Sequence, residues 1–259
     1  MDSMLAIFLV TCLVAYAGYR LKSLTLSGAV LTVVTGTVIG YGFGWFGLYL
    51  LGVFFSTSSL ASKYRAVDKA PVDEIVEKSG PRDYVQVLAN GGIGMLTALA
   101  MAYTSNEAWL YAYIVSIAAA TSDTWGSEFG VLAKRKPRSI LTFRPVEPGT
   151  SGGVSLYGTV MSIVGAATIV LATYPFMTLD FEVTLALIAL GLIGSVVDTL
   201  LGATVQRKYR CRVCGKQTEK QMHHGEATEY VKGWHWLGND AVNFASITAA
   251  ALICFFVFG

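Results

Sequence analysis

Carboxylates and amides stand inside long apolar stretches of this sequence, at spacings that put them on shared helix faces. Asn90 closes the run Gln86-Val-Leu-Ala-Asn90, Asp123 lies in Thr121-Ser-Asp-Thr-Trp-Gly-Ser-Glu128, and Asp198 lies midway between Gly194 and Gly202. Asn239, Asp240 and Asn243 open the last apolar stretch. Residues four apart meet on one side of a helix, which joins Arg82 to Gln86 and Asn90, Asp123 to Ser127, and Asn239 to Asn243. Ser122, Gly126 and Gly130 form a small-residue stripe that lets another helix approach closely. An ionisable side chain at mid-depth in lipid costs about 3 kcal/mol, so each is a candidate for function.

Their depths coincide. Asn90 is 8 residues from Arg82, Asp123 is 11 from Lys134, Asp198 is 9 from Arg207 and Asn243 is 11 from Lys232. At 1.5 Å per residue these are depths of roughly 12–17 Å from one boundary. Polar residues that only tie helices together, the plainer reading, need no common depth; one pocket open to one side does. Carboxylates and amides under a rim of Lys and Arg suit Mg²⁺ with phosphate oxygens, because magnesium takes one or two carboxylates and leaves its other positions to phosphate and water.

Two loops add to this. Arg144-Pro-Val-Glu-Pro-Gly149-Thr150-Ser151-Gly152-Gly153-Val-Ser155 leads straight into an apolar stretch. Clustered Gly with Ser and Thr before a helix offers free backbone N–H groups to an anion, although no Gly-Lys-Ser/Thr follows and a plain turn has the same composition. Cys211-Arg-Val-Cys214, followed by His223 and His224, resembles half a zinc ribbon. The alternative is a pair of reduced thiols in a loop, since disulfides are disfavoured on the cytoplasmic side. Cys12 and Cys254 lie in apolar stretches and read as inert.

The elements that must position these residues follow from composition. The chain has 259 residues, 54% of them hydrophobic and 14% charged, with a mean hydropathy of +0.55. That excess of apolar surface belongs to a bundle in lipid. About eight spans are predicted: Met4–Tyr19, Leu26–Tyr41, Phe43–Leu60, Tyr84–Tyr103, Trp109–Leu132, Val154–Tyr174, Leu185–Ala203 and Leu237–Phe258. The first reads as a span rather than a leader peptide, because its basic pair, Arg20 and Lys22, follows it. All 19 Lys and Arg fall in alternate loops, so the positive-inside rule puts those loops in the cytoplasm and both termini outside. The expectation is an all-α, polytopic transmembrane helix bundle forming one integral membrane domain over residues 1–259. Its cytoplasmic loops cover residues 61–82, 133–153 and 204–233, with a short surface helix over Val72–Lys78. Basic loops at a membrane contact anionic lipid; nucleic acid is the poorer reading, because the aromatic residues sit mostly in the spans.

The segments Gln86–Gly92, Ser122–Gly130, Pro148–Ser155 and Gly238–Asn243 resemble, in order, the signature blocks of domain-of-unknown-function family 92, which includes transmembrane protein 19 of animals and the plant phytyl-phosphate kinase. The block Asp123-Thr-x-x-Ser127-x-x-Gly130, followed by the Gly149–Gly153 loop, is more distantly similar to dolichol kinase and CDP-diacylglycerol synthase. The resemblance implies a multi-pass kinase of the cell membrane that moves a phosphoryl group from a nucleoside triphosphate, CTP or another, to an isoprenyl monophosphate of the phytyl or geranylgeranyl type, at the inner leaflet. On that reading Asp123 and Asp198 are the expected Mg²⁺ ligands, with Asp240 and Glu128 next. Asn90 and Asn243 orient phosphate oxygens. Arg82, Lys134 and Arg144 balance charge, and Asn239 with the Gly149–Gly153 loop meets phosphate. Zinc on Cys211, Cys214, His223 and His224 would be structural. The rivals are a transporter of a small ion or phosphorylated lipid, and another phospholipid nucleotidyl- or phosphotransferase.

Overall fold

A computed structural model describes residues 2–259. Eight helices lie among the described residues: α1 (Asp2–Arg20), α2 (Leu26–Lys63), α3 (Ala66–Asp73), α4 (Tyr84–Thr104), α5 (Ala108–Gly130), α6 (Leu156–Leu171), α7 (Phe181–Thr204) and α8 (Asn239–Phe258). Five of them, α1, α2, α4, α7 and α8, are long and apolar enough to cross a membrane. Leu5, Leu13, Val30, Leu96, Leu185, Leu252 and Phe256 lie exposed on them, as lipid-facing side chains do.

A straight α2 of 38 residues would run about 57 Å, nearly twice a hydrocarbon core. Gly44 breaks it, with φ +59 and ψ −148, a conformation that side chains with a Cβ avoid. Gly36 then packs beside Leu48, and Ile39 beside Gly47. In one continuous helix Gly36 and Leu48 would be about 18 Å apart. The two halves therefore run back along each other, as the two predicted spans require, with the turn at Gly44 rather than Gly42.

α5 is the axis of the bundle, with α2, α4, α6, α7 and α8 packed around it. Ala112 through Ser122 are buried without a break, which is the pattern of a helix covered on every side. Small side chains let the neighbours close in: Gly126 meets Ser162 of α6, and Ala119 meets Gly194 of α7. The Tyr113 hydroxyl, fully buried, donates to the Gly47 carbonyl at 2.6 Å.

The basic loops meet at one end. Leu24 bridges Arg82, Gly149 packs on Val72, and the Lys208 ammonium donates to the Ser151 carbonyl. The predicted surface helix needs correction here. The helix is α3, Ala66–Asp73, and the chain turns beyond it, so of Val72–Lys78 only Val72 and Asp73 are helical. Short strands also form within the loops. β1 (Arg138–Ser139) pairs antiparallel with β2 (Gly153–Val154). β3 (Lys208–Arg210), β4 (Gln217–Thr218), β5 (Met222–His223), β6 (Glu226–Ala227) and β7 (Glu229–Lys232) build a small cap in the orders β4-β3-β7 and β5-β6. α6, at 16 residues, is shorter than the predicted Val154–Tyr174 because β2 takes its start and a turn its end.

Candidate functional site

At the end where the basic loops gather, the bundle holds a cavity of about 720 Å³. Asn90 of α4, Asp123 of α5, Asp198 of α7 and Asn239 and Asn243 of α8 all line it. Ser195 of α7 lines the cavity together with Asp123. One Asp198 oxygen accepts from the Ser246 hydroxyl at 3.3 Å, and from the Asn243 amide at 2.8 Å once that amide is oriented by its neighbours. The two carboxylates lie within each other's electrostatic reach. Among the described residues neither forms an ion pair.

The other candidate carboxylates are already committed. Glu128 accepts from Lys69 at 2.7 Å and from Ser62 at 2.5 Å, and Lys69 itself is buried. Asp240 is held by Lys78 at 2.6 Å, and Lys78 also reaches Asp83 at 2.8 Å. Burial opposes the Lys78 charge, but Asp240 and Asp83 outweigh it and raise the pKa. Asp123 and Asp198 are thus a neighbouring pair of carboxylates, deep in the bundle yet facing the cavity, with no basic side chain between them. Such a donor pair fits a divalent cation whose remaining positions are phosphate and water.

Arg82 precedes α4 rather than sitting within it. Its backbone N–H donates to Ser23 and its carbonyl accepts from Thr25, which pins it against the α1–α2 turn. Of its five N–H donors, one reaches the Ser59 hydroxyl, at 3.0 Å, and no carboxylate pairs with it. Burial pulls its pKa below the arginine range, only partly offset by the charge of Glu128. Lys134 and Arg144 are exposed and do not line the cavity; they lie on the β1–β2 arm and its approach. Lys69 and Lys78 stand at the rim in their place.

The Gly149–Gly153 loop forms part of the wall. Gly152 has φ +84, and a Cβ there would come within 2.4 Å of the Ala203 Cβ, so glycine alone fits. The N–H groups of Ser151 and Gly152 have no backbone acceptor. Glu219 braces the loop from the cap: buried, it accepts from the Ser151 hydroxyl, from Gln206 at 2.9 Å and from the Glu77 N–H at 3.0 Å. Burial raises its pKa, against the pull of those donors. Burial and the charge of Lys232 push the nearby Lys208 ammonium down to about 8. The Asn239 N–H is taken by Glu77 at 3.1 Å, and Glu77 pairs with Arg207.

A second, smaller pocket of about 90 Å³ lies between α1, α2 and α4, walled by Val10, Val14, Leu48, Leu51, Phe55 and Val87. It shares Arg82, Gln86 and Asn90 with the large cavity. Gln86 has a structural task as well: with Asp83 it forms a reciprocal cap on α4, at 2.9 and 3.1 Å. Cys211, Cys214, His223 and His224 do not line either cavity and gather in the cap instead.

Sequence reasoning missed Lys69, Lys78, Ser195 and Glu219. Lys69 and Lys78 carry a signal, since both lie in a predicted cytoplasmic loop rich in charge, but partners 59 and 162 residues distant leave no local pattern. Glu219 carries none.

Residues 9–251 match the family model described as integral membrane protein DUF92. Protein PGR of Arabidopsis thaliana is 33% identical over 95% of this chain and 92% of its own length. An uncharacterized membrane protein of Methanocaldococcus jannaschii is 36% identical over 80% of this chain and 87% of its own length. The chloroplastic protein VTE6 of Arabidopsis thaliana is 21% identical over 89% and 64%. No solved structure matches the chain.

Proposed function

The chain belongs to the integral membrane protein DUF92 family, and on that premise we propose that it is a phosphotransferase acting on an isoprenyl monophosphate, with a nucleoside triphosphate, CTP foremost, as donor. The observation that carries this reading is the meeting of two unlike cavities at Arg82, Gln86 and Asn90. A polar chamber with unpaired carboxylates suits a nucleoside triphosphate. An apolar slot that shares wall residues with it suits the head end of a prenyl chain, whose remainder would continue into lipid. A charged guanidinium with spare donors stands where the two meet. The resemblance of the signature blocks to those of the plant phytyl-phosphate kinase family points the same way.

In this reading Arg82 receives the acceptor phosphate, and the Ser151 and Gly152 N–H groups cradle the triphosphate. Asp123 and Asp198 would hold Mg²⁺, whose charge would offset that of the phosphates during transfer. Asn90 and Asn243 orient phosphate oxygens, and Lys69 and Lys78 keep the rim positive. The acceptor is a phosphate and needs no strong general base; positioning and charge stabilisation suffice. The working face is the basic, cytoplasmic one.

The test is direct. Purified protein is incubated with phytyl or geranylgeranyl phosphate, Mg²⁺ and each nucleoside triphosphate in turn, and the lipid products are separated by mass. A prenyl diphosphate with one or more nucleotides is expected, and the corresponding alcohol should not react. No diphosphate with any nucleotide refutes the assignment. Transport is disfavoured by α5, the axial helix, which is buried without a break from Ala112 to Ser122.

A further inference from the structure

The cap over residues 208–232 buries few apolar side chains, Tyr209 and Cys211 among them. Its strands are two to four residues long. Val213, Met222, Tyr230 and Val231, which a core would claim, are exposed. Hairpins of that size do not persist alone in water, and small folds without a core rely on a staple.

Four side chains are gathered where a staple would act. One ligand atom each from Cys211, Cys214, His223 and His224 lies within 4.8 Å of all the others. In a tetrahedral site with bonds of 2.0–2.3 Å the ligand atoms are about 3.3–3.8 Å apart, so the set closes onto a metal with side-chain shifts of about an ångström. The Cys214 sulfur and His223 Nδ1 are at 3.8 Å already. The backbone is arranged for thiolates: the N–H groups of Val213 and Cys214 both point at the Cys211 sulfur, at 3.3 and 3.5 Å. Neighbouring residues on a strand face opposite ways, yet the rings of His223 and His224 lie 4.1 Å apart. His224 achieves this by taking φ +54 in the two-residue turn with Gly225, between β5 and β6. A histidine in the left-handed region is uncommon, and here it turns the second imidazole back toward the first.

We infer that this cluster is a structural zinc site, and that its task is to close the loop of residues 215–222, which delivers Glu219 to the wall of the phosphate cavity. Two cysteines precede that loop and two histidines follow it. Within it, Thr218 and the Glu219 N–H bond the Ile75 carbonyl at 2.7 and 2.8 Å, Lys220 bonds the Asp73 carbonyl at 2.8 Å, and the Glu219 carboxylate holds Ser151. Two cysteines with two histidines select zinc over magnesium or calcium. With the loop clipped, the glycine loop is braced from outside the membrane; with the clip open, Glu219 is held only by its hydrogen bonds to Ile75, Glu77, Ser151 and Gln206. The cap contact rests on the geometry alone; only its benefit to phosphate binding rests on the proposed function.

The experiment uses the full chain, purified in detergent from zinc-supplemented cells. Metal analysis should give close to one zinc per chain in the wild type and less than one-tenth of that in the Cys211→Ser/Cys214→Ser variant. Wild-type protein reconstituted with Co²⁺ should show the visible bands and thiolate charge-transfer absorption of a tetrahedral sulfur-nitrogen site, which keeps the test independent of whether the variant folds. Limited proteolysis should cut zinc-depleted protein within residues 208–232 at least tenfold faster, and leave the helical body intact. Zinc below one-fifth of an atom per chain, or content unchanged in the double variant, overturns the site. Zinc present with no change in cleavage on its removal overturns the clip. None of these readouts needs a kinase assay, so they fail or hold apart from the catalytic reading.

Discussion

Replacing Asp123 or Asp198 by Asn separates a metal-binding carboxylate from one that merely packs. The change keeps the shape and one acceptor oxygen and removes a charge. Neither residue has an ion-pair partner to strand. In Asp198→Asn the Ser246 hydroxyl, at 3.3 Å, still finds an acceptor. The folding cost is therefore at most one weak hydrogen bond, about 1 kcal/mol, or a Tm shift of about 2–4 °C. Relief of repulsion between the two carboxylates works against even that loss. Catalysis should respond very differently. Removing one preorganised electrostatic contact to a transferring group costs about 2.7–4 kcal/mol, and at 1.36 kcal/mol per decade this is a fall of roughly 100- to 1000-fold in kcat. The assay is prenyl diphosphate formation at saturating lipid, across a Mg²⁺ series, beside a thermal melt of each variant. Higher Mg²⁺ should recover part of the lost rate if the carboxylate binds metal. Gln86→Leu is the control: it removes one arm of the α4 cap, lowers stability by about 0.5–1 kcal/mol and leaves kcat far less affected. Both Asp variants retaining activity within about threefold of wild type would refute the site assignment.

Glu128→Gln should behave in the opposite sense, because it leaves the buried Lys69 ammonium without its carboxylate; a loss of about 3 kcal/mol is expected, read as a clear fall in Tm, and an unchanged Tm would show the pair to be idle. Arg82→Ala should raise KM for the prenyl phosphate at least tenfold with a smaller effect on KM for the nucleotide, and Arg82→Lys should recover part of it; equal effects on both substrates would place Arg82 outside the acceptor site. For orientation, a cysteine placed at Ala70 should resist an impermeant thiol reagent in sealed cells while one at Asn106 reacts; reaction of both from outside would overturn the positive-inside assignment.

What could be read from the sequence was whatever a local pattern controls. Helical rise turned residue counts into depth, and Asn90, Asp123, Asp198 and Asn243 do line one cavity. The stripe Ser122, Gly126, Gly130 announced a close approach, and Gly126 and Gly130 meet Gly158 and Ser162 of α6. The break in α2 was visible to within two residues, since several glycines lie in that turn and only packing selects Gly44. What stayed hidden was partner choice. Asp123, Asp198, Glu128 and Asp240 are equivalent as letters in apolar surroundings. Which of them meets a lysine is decided by where the loop of residues 61–82 folds back, a contact spanning 59 residues for Lys69 and 162 for Lys78. Lys134 and Arg144 lie outside the cavity lining for a similar reason: their neighbourhood is set by the pairing of β1 with β2, and a two-residue ladder has no signature to read.

On the proposed function, that division of carboxylates also bears on how a lipid phosphate would reach this depth. A prenyl phosphate floats with its phosphate at the headgroup level, whereas Asp123 and Asp198 lie roughly 14–17 Å in by helical rise. Drawing a phosphate down toward two carboxylates is unfavourable twice over, by desolvation and by like charge. Lys69 and Lys78 remove part of the second cost by neutralising Glu128 and Asp240 along the way, so the rim the phosphate passes is positive or neutral. Arg82 removes part of the first, because it is held in place by Ser23 and Thr25 and offers unspent donors that water would otherwise fill. On the proposed function, a cation on Asp123 and Asp198 would remove the remainder. The order of binding follows from this: metal and nucleotide should enter before the lipid phosphate, and the affinity for prenyl phosphate should rise when both are present. Lipid phosphate that binds equally tightly to the metal-free protein would show that the carboxylate pair does not face it.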